Sequence, residues 1–172
     1  MRTRAGLVMV IVLAAGTHAL AATGQATLKG TAKESTITGT AIFTDTPEGL
    51  KIAVQVANVP PGQHGLHIHQ FGSCDDAGNA AGGHYNPAGT PHGYLPTDGP
   101  THAHAGDFGN LDVGPNGTGT LELVLPDLAL TSGPYHVAGL TVILHEKPDD
   151  FGQPTGHAGS RIACGPIVLT GE

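Results

Sequence analysis

Three stretches of this chain alternate in side-chain character with a period of two. They are Gln25-Ala26-Thr27-Leu28-Lys29-Gly30, Ser35-Thr36-Ile37-Thr38-Gly39-Thr40-Ala41-Ile42-Phe43 and Leu50-Lys51-Ile52-Ala53-Val54-Gln55-Val56. A period of two is the pattern of a half-buried strand and cannot be laid on a helix. Turn signals separate the stretches at Lys33-Glu34 and Pro47-Glu48-Gly49, and Pro60-Pro61-Gly62 ends the third. A fourth strand opens over His64 to Gln70, and more are expected near His104–Phe108, Gly119–Leu125, Tyr135–Val137, Thr141–His145 and Ile162–Leu169. Asp127 to Leu130 reads as a turn or an irregular link. With 27 Gly, 13 Pro and no Trp, long helices are disfavoured. Eight or so short strands point to an all-β chain, a β-sandwich or flattened barrel.

Two segments break the pattern. Residues 71–101 and Lys147–Gly159 are rich in Gly, Pro, Asn and Asp and have no apolar period. A loop of that length in a compact domain is functional or disordered. His84 and His92 in the first favour function, with metal ligation ordering the chain.

The 172 residues fit one domain. Residues 1–21 read as a secretory signal peptide: Arg2 and Arg4 are a basic start, Ala5 to Ala15 an apolar run, and Ala19-Leu20-Ala21 a cleavage site. The domain is then expected over 22–172. Its product is exported, to the periplasm or the medium, and no Cys follows the cleavage site for lipid attachment. Removal of Arg2 and Arg4 leaves five basic against fourteen acidic residues, a balance of −9. That charge disfavours nucleic acid and anionic membranes as partners. Cys74 and Cys164 are the only cysteines. Outside the cytosol, two cysteines read as one disulfide. It would close a loop of about 90 residues, worth roughly 4–5 kcal/mol in chain entropy.

The chemistry is concentrated in histidine. His67 and His69 stand two apart on a strand, so their imidazoles share a face. His145 ends an apolar strand, and His84 completes a set of four nitrogens, which suits Cu(II). His84, His92, His104 and Asp107 make a second set, three imidazoles and a carboxylate, which suits tetrahedral Zn²⁺. His84 belongs to both, and two divalent cations would allow one ring to lose both protons.

Five stretches carry a resemblance. They are His64-Gly65-Leu66-His67-Ile68-His69-Gln70-Phe71-Gly72, Gly83-His84-Tyr85-Asn86-Pro87, His104-Ala105-Gly106-Asp107-Phe108-Gly109-Asn110, Leu144-His145-Glu146-Lys147-Pro148-Asp149-Asp150 and Gly159-Ser160-Arg161-Ile162-Ala163-Cys164-Gly165. In this order they closely resemble copper/zinc superoxide dismutase, over nearly the whole chain after residue 21. The resemblance implies an eight-stranded Greek-key sandwich. It implies copper on His67, His69, His84 and His145, and zinc on His84, His92, His104 and Asp107. It implies that Asp149 holds the rings of His67 and His92, that Cys74 bonds Cys164, and that Arg161 stands beside the copper. The implied reaction turns superoxide into dioxygen and hydrogen peroxide, with His84 carrying a proton and Arg161 drawing in the anion.

The chain also departs from that family. Phe151 to His157 is shorter than in many eukaryotic members and lacks their charged cluster. Thr155 keeps the channel-side threonine position, Pro154 takes a lysine position, and Lys147 is the remaining cation nearby. Cys74 comes five residues after His69, as in secreted bacterial members, and pairing of subunits is left open as a possible homodimer of unknown interface. His64, His102, His136 and His157 have no place in the ligand scheme and read as solvated or core-satisfied rings; His102 is the one placed to compete for zinc. Asp75, Asp76 and Asp150 read as loop charges, Lys29, Lys33 and Glu34 as solvated surface, and Phe43, Phe71 and Phe108 as core. A copper or zinc storage protein on the same scaffold, or a silent adhesion or delivery module, are the alternatives. A storage protein has no need for Arg161 beside a ring shared by two metals, and a silent module would be expected to lose some copper ligands, of which none is missing.

Overall fold

The computed structural model describes residues 21–171; the leader expected over 1–21 lies, but for Ala21, outside the described residues. Eight strands are formed: β1 Thr23–Gly30, β2 Thr38–Thr46, β3 Gly49–Ala57, β4 Gly62–His69, β5 Asp107–Val113, β6 Gly119–Leu125, β7 Thr141–His145 and β8 Arg161–Gly171. They close into an antiparallel barrel in the order β1-β2-β3-β6-β5-β4-β7-β8. The β3–β6 and β4–β7 neighbours are the crossovers of a Greek key.

Alternation determines what each strand buries. On β3 the even positions Leu50, Ile52, Val54 and Val56 face the core, and Lys51 and Gln55 face out. Ala26 and Leu28 of β1, Ala41 and Phe43 of β2, and Leu66 and Ile68 of β4 join them. On β4 and β7 the alternation disappears, because both faces are covered. Leu66 and Ile68 point into the barrel. His67 and His69, on the opposite face, are buried beneath the two long loops.

Several expectations are corrected. The strand expected from His104 begins at Asp107 instead. Its carboxylate accepts the His104 backbone N–H at 3.1 Å and folds residues 104–107 into a turn. Tyr135–Val137 forms no strand, only a single bridge between Ala129 and His136. The long loop carries a 3₁₀ turn, Asn79–Ala81, and a short helix, α1 Leu95–Asp98, with Pro at its start. Phe43 and Phe108 are core, but Phe71 is 59% exposed: it lies two residues past the end of β4, in the start of the long loop.

The loops are fastened to the barrel. Ile68 N–H donates to Gly106 (2.9 Å), and Tyr85 N–H donates to Ile68 (2.8 Å). Gly106 comes so close that a Cβ there would lie 2.2 Å from the Ile68 carbonyl oxygen, so only glycine fits. Cys74 and Cys164 form a disulfide, packed with Ala81 and Ile143 in a small apolar cluster outside the barrel. No helix among the described residues is long and apolar enough to cross a membrane.

Candidate metal centre

β4 supplies His67 and His69 from one face. An antiparallel bridge between His69 and His84, with Gln70 N–H on the Gly83 carbonyl at 3.0 Å, draws the long loop across them. A register shift at the end of β7 sets His145 opposite Arg161 of β8. Ligand atoms of His67, His69, His84 and His145 all lie within 4.8 Å of one another, and so do those of His84, His92, His104 and Asp107. His84 belongs to both groups. Its ring centre lies 4.0 Å from that of His67 and 5.4 Å from that of His104.

Hydrogen bonds leave particular nitrogens free. His69 Nδ1–H donates to the Gly82 carbonyl at 2.8 Å, and His145 Nδ1–H to that of Gly159 at 3.2 Å. Their Nε2 atoms, lone pairs outward, then face each other at 3.3 Å. Two lone pairs at that distance repel, and a cation between them removes the repulsion. His67 Nε2–H donates to Asp149 at 2.8 Å, while its buried Nδ1 has no hydrogen-bond partner. His92 Nε2–H donates to Asp149 at 2.9 Å. Its Nδ1 lies 2.7 Å from Asp107 Oδ2 yet out of line for a hydrogen bond, as two ligands of one ion would be. Nδ1 of His84 and of His104 converge on Asp107 Oδ1 at 2.8 and 3.2 Å. The donors fit copper in the first set and zinc in the second.

Burial sets the charge states. It pushes His69 down to about 2, His145 to about 3 and His84 to about 4. Burial acts the same way on His92, but Asp107 and Asp149 outweigh it and lift that ring to about 9. Burial opposes ionisation of Asp107 and Asp149, yet the rings bonded to them hold both well below the usual carboxylate range.

These shifts predict how the metal-free protein responds to pH. His69, His84 and His145 hold protons less tightly folded than unfolded. Their contribution is full above the unfolded pKa and lost as pH falls from about 6.5. His92 holds its proton more tightly when folded, so its contribution is full below about 6.5 and lost as pH rises towards 9. Thermal midpoints of the metal-free protein are expected to peak near about pH 7 and fall on both sides. A midpoint that climbs steadily to pH 9 contradicts these charge states.

Arg161 is held by two loop carbonyls, Nη1–H on Gly78 and Nη2–H on Gly82 (2.6 Å). Gly82 thereby orients both Arg161 and His69. A cavity of about 210 Å³ opens here, lined by His69, His84, His145, Thr155, His157 and Arg161. A larger groove of about 640 Å³, along Thr27, Thr40, Gln55 and Thr120, has no metal-ligating side chain.

Other residues stand as follows. His102 is exposed and bonded to Thr101 at 3.0 Å, outside the group of His84, His92, His104 and Asp107. His136 reaches the Gly133 carbonyl, and His157 pairs with Asp150 at 3.1 Å. Buried His64 bridges the carbonyls of Pro60 and His145, 2.8 Å each, a support behind a candidate ligand. Asn110, which sequence reasoning did not single out, clamps the Asp149 backbone at both its N–H (2.7 Å) and its carbonyl (2.9 Å).

A family model described as copper/zinc superoxide dismutase matches residues 37–167. This chain belongs to the copper/zinc superoxide dismutase family. A crystal structure described as that of the clock protein EA4 is similar as well. It shares 33% identity, covers 90% of this chain and 99% of its own, and superposes with a TM-score of 0.77. The closed eight-stranded barrel is therefore a superoxide dismutase fold, with a histidine cluster of the kind that family uses for copper and zinc.

Proposed function

We propose that the chain dismutates superoxide to dioxygen and hydrogen peroxide at a copper–zinc centre, as an exported enzyme whose domain runs over 22–172. Copper would be held by His67, His69, His84 and His145, and zinc by His84, His92, His104 and Asp107. The carrying observation is His84, whose ring lies within ligand reach of both sets at once. When bound, copper supplies one-electron redox chemistry and zinc the fixed charge beside it.

The chain's own groups do the rest. Nδ1 of His84 faces Asp107, which leaves Nε2 towards His67, His69 and His145 as the atom that takes and returns a proton. Asp149 fixes the tautomers of His67 and His92. Arg161 presents a planar cation to an incoming anion at the channel mouth, within a chain whose balance after residue 21 is −9. A storage protein has no use for that cation. The reading is tested by following superoxide-driven dye reduction before and after copper removal: metal-dependent inhibition supports it, and tight copper without turnover sinks it.

Arg161→Ala is expected to leave metal content intact and to lower the second-order rate about tenfold or more at low salt, since a fixed opposite charge raises anion capture. Stopped-flow rates across a salt series check this. Unchanged rates at low salt would remove Arg161 from the mechanism.

A further inference from the structure

Three of the four members of the zinc group, His84, His92 and His104, come from chain outside every strand. His84 is tied to β4 by its bridge to His69 and His104 to β5 by its turn on Asp107, and His92 has neither tie. Two residues upstream, Asn86 holds Thr90 (3.0 Å). One residue downstream, Gly93 N–H rests on Asp107 Oδ2 (3.0 Å), itself a member of the zinc group, so that bond gives no independent hold. The backbone of His92 is secured by a single side chain. Its N–H donates to Gln153 Oε1 at 3.0 Å, and its carbonyl accepts from Gln153 Nε2 at 2.8 Å. One amide thus makes both bonds that a neighbouring strand would make.

Gln153 lies four residues after Asp149, in the loop that also carries Thr155 and His157 to the channel mouth. This loop therefore grips His92 twice, by its backbone through Gln153 and by its ring Nε2–H through Asp149. Either hold alone leaves a rotation free: the backbone clamp does not set the ring, and the ring bond does not stop the chain swinging about it. Together they aim Nδ1 at Asp107. The loop itself is closed by Gly156, where a Cβ would overlap the Asp149 carboxylate.

We propose that Gln153 is a positioning residue that presets His92 for a divalent cation and couples retention of that ion to the channel loop. This rests on the reading of His84, His92, His104 and Asp107 as a zinc site. Ordering His92 before the ion arrives removes a cost that binding would otherwise bear.

The test uses the full disulfide-bonded protein loaded with zinc and challenged with a chromogenic chelator. Gln153→Ala and Gln153→Met are compared with the wild type; methionine keeps the length and loses both polar atoms. Both variants are expected to release zinc about tenfold faster or more, the loss of two ordinary hydrogen bonds. With cobalt(II) in place of zinc, the visible d–d bands are expected to shift in both variants. A role in folding alone would leave the bands of loaded protein unchanged. Release within twofold of wild type by both variants, with unchanged cobalt bands, overturns the proposal. If the wild type itself takes up neither zinc nor cobalt in a four-coordinate site, the underlying reading of the ligand group fails, whatever the variants do.

Discussion

Replacing His84 with alanine is expected to lower the dismutation rate by about 10²-fold or more and to reduce the content of both copper and zinc. Removing any other ligand thins one group. Removing His84 thins two, because the same ring lies 2.8 Å from Asp107 on one side and 4.0 Å, centre to centre, from His67 on the other. The ring is also the titratable group that both sets share, so the proton carrier goes with the ligand. Folding is expected to survive, since His84 sits on a loop fixed by the neighbouring Tyr85 backbone bond to Ile68 and by the disulfide. Elemental analysis and rapid-mixing kinetics on the same preparation check both halves. Full copper and zinc with a rate near wild type would show that the two groups do not act through this imidazole.

Much of the fold can be read from the chain because the barrel is built from local alternation. Gly119–Leu125 and Thr141–His145 have the bounds of β6 and β7, and β3 runs little beyond the stretch Leu50–Val56. The start of β5 is hidden for a physical reason. Asp107 serves as turn anchor and as a member of the candidate ligand group, so one carboxylate holds His104 to Gly106 in a turn and the strand begins only after it. Tyr135–Val137 is similar. It has the residue types of a strand but finds only one partner position, at Ala129.

The site divides in the same way. The candidate ligand histidines are legible because strand spacing, residue type and motif order all point to them. The supports are not. His64, Asn110 and Gln153 act on His145, Asp149 and His92 across separations of 81, 39 and 61 residues. A polar side chain that satisfies a distant backbone leaves no mark in its own neighbourhood.

Asp149→Asn is expected to weaken metal binding by about 10–100-fold, with at least one of the two sites affected. The carboxylate accepts two ring N–H groups, from His67 at 2.8 Å and from His92 at 2.9 Å. An asparagine has one accepting oxygen, so one ring must face the amide N–H₂. Two donors cannot face each other in a buried space without loss. That ring escapes by moving its proton from Nε2 to Nδ1, the atom aimed at the metal, and the proton then competes with the ion. The backbone of residue 149 stays where Asn110 holds it, so the change acts on the rings rather than on the loop's path. Competition titrations with chelators for copper and for zinc separate the two rings. Weaker copper alone means that the His67 tautomer has flipped, and weaker zinc alone means that His92 has. Affinities for both metals at the wild-type level would show that the carboxylate does not govern the tautomers, and the link between the two ligand groups would have to run through His84 alone.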